Sequence, residues 1–149
     1  MRLLTLILIL TINNLTSQEL KNIDNTKSSI SYSGNHFLHK WSAENNNLSG
    51  LLKIDNENIL NIGIVAKVAD FKSGNSSLDS NSYRVLEALK FPNIIFKSIS
   101  IKSQNGLSNI KGLIEFHGIE KDIDVNVELT KIDNTTQING QFTLNLSDF

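Results

Sequence analysis

Apolar and polar residues alternate with a period of two along most of this chain, and that alternation limits its fold more than any other feature. In one run, Ile123, Val125 and Val127 are separated by Asp124 and Asn126. Successive side chains of a β-strand point to opposite faces, so each run predicts a strand with one apolar face and one polar face. We count seven such runs, at residues 29–33, 48–54, 60–68, 94–101, 110–117, 123–130 and 138–146.

Short turn segments separate several of these predicted strands. They lie at residues 55–58, 103–106, 118–121 and 133–136, and each contains at least one of the turn-forming residues Asn, Asp, Gly and Ser. Connections this short join neighbouring strands as antiparallel hairpins. A sheet made of sequential hairpins has an up-and-down strand order.

One segment departs from the β pattern and predicts a short helix. Tyr83, Leu86 and Leu89 recur at helical spacing, and Asp79 or Ser80 suits the start of a helix. A proline follows at position 92 and ends the pattern. We therefore predict a helix over residues 81–90, between the third and fourth strands.

Strands with one apolar face must hide that face between two sheets or inside a barrel. The 149 residues have the length of one domain and contain no linker or internal repeat. The 14 Lys and Arg residues nearly balance the 15 Asp and Glu residues, so we expect no nucleic-acid partner. Because cysteine is absent, disulfides and thiolate chemistry are excluded. The pattern predicts an all-β, antiparallel, up-and-down domain over residues 18–149.

Residues 1–17 have the layout of a secretory signal peptide. Arg2 supplies a positive start, residues 3–12 are almost wholly apolar, and the polar stretch that follows ends at Ser17. The apolar stretch is shorter than the ~20 residues that cross a bilayer, so we expect no stable membrane span. We expect a periplasmic or secreted protein, and export without cysteine favours a bacterial envelope.

Four stretches resemble the YceI-like family and follow its order. Residues 91–96 are similar to the family's aromatic-Pro-x-Ile-x-Phe pattern after a short helix. The others are the first strand at residues 23–32, a His-x-Trp pattern at residues 39–41 with a later glycine, and the Gly-x-Leu-x-x-x-Gly-x-x-Lys hairpin, to which residues 112–121 are similar. The resemblance covers nearly the whole chain after the predicted signal peptide.

The resemblance implies a lipocalin-like barrel that binds a lipid or polyisoprenoid. In the family, a Ser-Asp-Phe pattern is followed by a loop and a last strand. The similar residues 146–149 end this sequence, so we expect seven strands where the family barrel has eight. The missing strand would leave a gap in the barrel wall. Because unpaired strand edges readily bind other strands, we also expect that a homodimer could form through a free edge.

The resemblance further implies that a ligand lies among the inward-facing apolar side chains. We expect an isoprenoid or another long-chain amphiphile to be held there non-covalently, since each buried methylene group contributes ~0.8 kcal/mol. Gly50, Ala66, Gly112 and Gly140 fall on the same faces and are expected to leave space for it. An ordinary hydrophobic core fits the same pattern. The candidate ligand-binding residues are Ile62, Ile64, Ala66, Ile94, Phe96, Ile110, Gly112, Ile114, Phe116, Val125, Val127 and Phe142.

Enzymatic chemistry is not indicated by any motif in the sequence. His36 and His39 are three residues apart in an extended segment, where that offset predicts opposite faces, and His117 is the third histidine. There is neither a nucleophile elbow nor a Gly-rich phosphate loop, so we expect no enzyme, metal or cofactor. The alternative function is an envelope protein-interaction module that uses an exposed sheet edge and has no small-molecule ligand.

Overall fold

The computed structural model describes residues 18–36, 39–56, 58–133 and 135–149. The predicted signal peptide lies outside these residues. The described chain contains helix α1 (Ser76–Val85) and two 3₁₀ helices, Val68–Asp70 and Leu146–Asp148. Its strands are β1 (Gln18–Asn22), β2 (Ile30–His36), β3 (His39–Asn45), β4 (Leu48–Asp55), β5 (Asn58–Lys67), β6 (Asn93–Gln104), β7 (Leu107–Phe116), β8 (Ile119–Ile132) and β9 (Thr135–Gly140).

Seven strands form one antiparallel sheet in the order β1-β4-β5-β6-β7-β8-β9. From β4 onward each strand pairs with the next one along the chain, which confirms the predicted up-and-down order. The sheet curls into a half-barrel, with β1 and β9 at its edges among the described residues. The predicted all-β, lipocalin-like fold class, with one short helix, is confirmed.

The described residues form nine strands, so the predicted count of seven is wrong. Strand β1 escaped the sequence analysis because all five of its residues are exposed at the sheet edge and show no alternation. Strands β2 and β3 form a separate two-stranded sheet, and β1 pairs with β4 across this insertion. A bridge between Glu44 and Lys72 connects the β2–β3 hairpin to the chain that follows β5.

Helix α1 starts and ends five residues earlier than predicted. The Asn75 side chain, rather than that of Asp79 or Ser80, caps it by accepting hydrogen bonds from the backbone N–H groups of Ser77 and Leu78 at 3.0 and 3.1 Å. The helix ends before residue 87, which has a φ of 46° and so leaves the helical conformation. Turns occupy residues 86–90, which the sequence analysis assigned to the helix.

The last strand is shorter than predicted. Strand β9 ends at Gly140, the register partner of Val127, whereas the alternation extends to residue 146. The chain then leaves β8, and the ring of Phe149 packs edge-on against Phe116 with centroids 5.4 Å apart. Phe142, which we predicted to lie in a strand, therefore lies in an irregular segment.

Two hydrophobic clusters fill the concave side of the half-barrel. In the first, Ala43 of the β2–β3 hairpin packs with Leu48, Ala66 and Phe71, so the hairpin covers one end of the sheet. The second cluster contains Ile62, Ile110, Val125 and Val127. Partly buried side chains from β4, β6 and β9 pack against that second cluster and extend it across the sheet.

A β-bulge in β6 shifts the alternation partway along the strand. The register slips between Ser98 and Ser100, and Ile99 is left exposed. The side chains of β6 that face the second cluster therefore include Phe96 before the bulge and Ile101 after it. The Ser98 hydroxyl accepts a hydrogen bond from the Ile62 backbone N–H at 2.8 Å, where the β5–β6 pairing has ended.

Gly112 is expected to be intolerant of a side chain. A Cβ at this position would lie 2.4 Å from the Phe96 ring and 2.6 Å from the Lys97 carbonyl oxygen, whereas one at Gly63 would meet its nearest atom at 4.0 Å. We predict that Gly112→Ala lowers the free energy of unfolding by about 1–3 kcal/mol because the core is overpacked. Gly63→Ala is the matched control in the same sheet, and urea denaturation measures both. Equal stability of the two variants would contradict the packing described here.

Candidate functional site

The predicted interior residues lie mostly on one continuous face of the half-barrel. Register pairs align Ile64 with Phe96, Phe96 with Ile114, and Ile110 with Val125, so these side chains share a face across four strands. The buried members of the predicted set are Ile62, Ala66, Ile110, Gly112, Ile114, Phe116, Val125 and Val127, and Ile64, Ile94 and Phe96 are partly buried. Their contact with a ligand stays a prediction.

The glycines on this face do not leave the free space that we expected. The Phe96 ring lies against Gly112, the Ile23 side chain against Gly50, and Val127 against Gly140. In each case a Cβ on the glycine would come within 3.0 Å of the neighbouring side chain. The glycines therefore allow close packing of larger residues, and the free volume lies elsewhere.

A groove of about 320 Å³ runs between the first half of β8 and the chain after β9. We call it the C-terminal groove. Phe142, the one predicted site residue with high exposure (41%), lies here rather than in the sheet interior. Ile123 connects the groove with the concave face, because it also packs against the second hydrophobic cluster. The lining residues are Lys121, Asp122, Ile123, Asp124, Phe142, Thr143, Leu144, Asn145, Asp148 and Phe149.

Lys121 is a polar exception in the inward-facing row. It is the register partner of buried Ile114, so it occupies the concave side of β8, although it is exposed. Among the described residues, the Lys121 ammonium group makes no hydrogen bond or ion pair. Asp124 lies on the opposite face of β8, where it accepts a hydrogen bond from Asn109 and lies 3.9 Å from the Lys111 ammonium. The signal was present in the sequence as a lysine at an apolar position of the alternation, and we missed it.

A second groove of about 400 Å³ lies beside β9. Val127 and Gly140 belong to its lining, so it borders the second hydrophobic cluster at the sheet edge. Leu107 lines it from β7. Grooves therefore lie on both sides of the position where β9 ends.

An aromatic group joins the β2–β3 hairpin to the segment before α1. The Tyr32 ring lies 5.2 Å from both Trp41 and Phe71, measured between centroids. Burial raises the pKa of the Tyr32 hydroxyl. The Tyr83 hydroxyl donates to the Phe71 carbonyl at 2.6 Å and accepts from the Lys72 ammonium at 2.9 Å. These contacts hold α1 against the hairpin end of the half-barrel.

Two of the three histidines are brought opposite each other by the β2–β3 hairpin. The backbones of His36 and His39 are register partners there, so the two residues lie on neighbouring strands and not in a single extended segment. His117 lies in another turn, where its Nε2 is 3.0 Å from a Glu87 carboxylate oxygen and its ring packs on Phe91. No group of three or more potential metal ligands occurs among the described residues.

Comparisons with known proteins place the chain in a family. Residues 22–149 match the YceI-like domain, and the chain belongs to that family. No curated protein matches the sequence. No helix in the described chain, residues 18–36, 39–56, 58–133 and 135–149, is long and apolar enough to cross a membrane.

Solved structures share the fold at low sequence identity. BcnA of Burkholderia cenocepacia is 19% identical with a TM-score of 0.73, over 79% of this chain and 77% of BcnA. A polyisoprenoid binding domain from Saccharophagus degradans, implicated in plant cell wall breakdown, is 13% identical with a TM-score of 0.61, over 86% of this chain and 77% of that domain. The Campylobacter jejuni YCEI protein is 17% identical with a TM-score of 0.50, over 91% of this chain and 72% of the YCEI protein.

The first turn of α1 contains a carboxylate whose titration tests the local structure. Asp79 accepts hydrogen bonds from the Ser73 hydroxyl at 2.5 Å and the Ser73 backbone N–H at 2.9 Å, and both lower its pKa. The ionised form is favoured in the folded state. These contacts therefore contribute stability above the ordinary pKa of the carboxyl group, and the contribution is lost as the pH falls through the lowered pKa.

We predict that Ser73→Ala raises the pKa of Asp79 towards its ordinary value. The hydroxyl is the larger of the two causes, and the backbone N–H remains, so the pKa should stay slightly lowered. Carboxyl NMR titration measures the change. Ser80→Ala on exposed α1 is the control and should leave the pKa of Asp79 where it is. An unchanged pKa in Ser73→Ala would contradict the hydrogen-bond geometry.

Proposed function

We propose that the protein is an exported lipid-binding protein that holds an isoprenoid or another long-chain amphiphile non-covalently in its half-barrel. Its mature form would act in the periplasm or outside the cell. The observation that carries the proposal is the continuity of the C-terminal groove with the apolar concave face through Ile123. Membership of the YceI-like family and the similarity to a polyisoprenoid binding domain support a lipid as the ligand.

The groove offers an apolar chain a partly lined path to the sheet interior. Phe142, Leu144 and Phe149 lie on one side, and Ile123 lies on the other. Transferring apolar surface out of water contributes ~25 cal/mol of binding free energy per Å² of buried area. This contribution does not depend on the relative orientation of the groups in contact. The site would therefore select its ligand by shape and length, and the binding would involve no covalent step.

The polar residues of the groove lie where the head of an amphiphile would meet water. Lys121 shares the concave side with Ile114, whereas Asn145 and Asp148 lie on the C-terminal segment. The lining contains one lysine and three aspartates, so its excess of negative charge disfavours an anionic head. Recognition would depend chiefly on the apolar tail.

We expect Phe142→Glu to weaken binding of all-trans-retinol, an uncharged fluorescent isoprenoid, by about tenfold or more because an aromatic contact that the bound ligand would cover is lost. The matched control is Leu51→Glu. Leu51 has a similar exposure (45% against 41%), but its register partner Gly63 places it on the outer face of the sheet. Retinol fluorescence titration measures the affinities, and circular dichroism checks the fold of both variants. Equal affinities, or no binding by the parent protein, would refute the proposed site.

The unpaired part of β8 supports a second candidate function, strand addition. Within the described chain, residues 119–126 pair with β7 on one side, while β9 covers only residues 127–132 on the other. An exposed strand edge accepts a strand from another chain through its backbone groups. The occupant would be a second copy or an envelope protein, with no small-molecule ligand.

Native mass spectrometry with organic extraction separates the two functions. We expect a monomer that carries an extractable long-chain lipid, since the tail would fill the groove. An empty protein whose mass doubles with rising concentration would favour strand addition and contradict the lipid-binding proposal. Sedimentation velocity at several concentrations checks the dimer independently of the gas phase.

A further inference from the structure

The residues that follow β9 continue its alternation without continuing its pairing. Strand β9 pairs with β8 up to Gly140, which lies opposite Val127. Beyond that point Phe142 and Leu144 are apolar, and the residues on either side of them are polar. This period of two is typical of a strand with one apolar face, yet the segment is irregular in the structure. We call residues 141–145 the strap.

The edge of β8 beside the strap has unpaired backbone groups. Strand β9 covers only residues 127–132 of β8. On the β7 side, the Leu129 N–H donates to the Gly106 carbonyl at 2.8 Å, and the β7–β8 pairing runs without a register shift. Because the backbone groups of successive residues alternate between the two edges of a strand, those of Asp122 and Asp124 point away from β7. A strand on that side would give them partners.

The register of β9, extended into the strap, pairs like with like. The first apolar pair is Phe142 with Val125. The second is Leu144 with Ile123, and both β8 residues belong to the concave side because they pack in the second hydrophobic cluster. A register shifted by one residue would put each apolar side chain opposite a polar one, so the alternation specifies this pairing. The polar pairs on the outer face are Gln141 with Asn126, Thr143 with Asp124, and Asn145 with Asp122.

The open and the paired arrangements of the strap have different contacts. In the open one, which the structure shows, the Phe149 ring packs on Phe116, and Phe142 is exposed beside the C-terminal groove. In the paired one, Phe142 would lie over the concave face, and the β8 edge would gain backbone hydrogen bonds. Apolar burial and backbone pairing favour the paired arrangement, whereas the Phe149 contact and chain entropy favour the open one.

We infer that the strap alternates between these two arrangements and that the paired one closes the C-terminal groove. The groove lies between the strap and residues 121–124 of β8, so pairing would fill it with the strap itself. An apolar tail and the strap would then compete for one edge, and the paired fraction would lower the apparent affinity for the ligand. This regulation rests on the proposed function of the groove. A strand added from another chain would meet the same competition.

Disulfide trapping tests the pairing, because the chain contains no cysteine of its own. Ile123→Cys with Leu144→Cys joins two residues that face each other in the inferred register, where the Cα atoms of a non-hydrogen-bonded pair are about 4.5 Å apart. The matched control is Asp124→Cys with Leu144→Cys. All three positions line the groove, but Asp124 is on the outer face of β8 and the register puts Leu144 on the concave side.

Under mild oxidation we expect the first pair to form an intramolecular disulfide at least about fivefold faster than the control pair, because only the first pair has the geometry that a disulfide requires. Val125→Cys with Phe142→Cys is a second pair in the same register and should behave like the first. Mass spectrometry of the monomer fraction measures the rates and leaves out bonds between two molecules. Equal rates in the first and control pairs, or no intramolecular disulfide in either in-register pair, would overturn the inference.

Retinol binding by the trapped protein tests the closure of the groove. The Ile123→Cys, Leu144→Cys protein is compared before and after reduction, so both forms carry the same substitutions. We expect the oxidised form to bind retinol about tenfold or more weakly, because the strap occupies the groove. Equal affinities of the fully cross-linked and reduced forms would overturn the closure. A parent protein that does not bind retinol would refute the lipid groove, whereas the cross-linking rates decide the pairing of the strap in either case.

Discussion

The whole structure depends on covering the concave face of a sheet that curls only halfway. Edge strands β1 and β9 do not pair with each other in the described chain, so backbone hydrogen bonds do not close a ring around this face. Side chains perform the closure instead. The Phe96 ring packs over Gly112, and the β2–β3 hairpin brings Ala43 onto one end. At another position, Phe149 packs against Phe116. The segments outside the sheet are thus part of its core.

A buried polar contact sets the position of the hairpin on the sheet. Asn45 is fully buried, and its amide donates to the Lys67 carbonyl at 3.0 Å while its oxygen accepts from the Asn47 backbone at 2.8 Å. Displacing the hairpin would leave these groups without partners in a place that water does not reach, which costs about 1–3 kcal/mol. Apolar packing by Ala43 is compatible with several positions of the hairpin on the sheet, whereas the hydrogen bonds of Asn45 require a single position.

The sequence predicted the elements whose two faces differ in environment. Strands β4 to β8 have one buried and one wetter face, so their alternation was readable, and most of the predicted interior residues lie on one face. Strand β1 has no buried face and showed no signal. Phe142 and Leu144 keep the alternation but lie beyond β9, because long-range packing of Phe149 draws that segment elsewhere. A groove made by such packing has no local pattern from which to predict it.

The same distinction applies to the proposed ligand groove. A ligand groove must be continuous with the core, and Ile123 supplies that continuity because it packs on the second cluster and lines the groove. Transfer of an apolar tail out of water is favourable only where the tail meets apolar surface, and the concave face beyond Ile123 provides that surface.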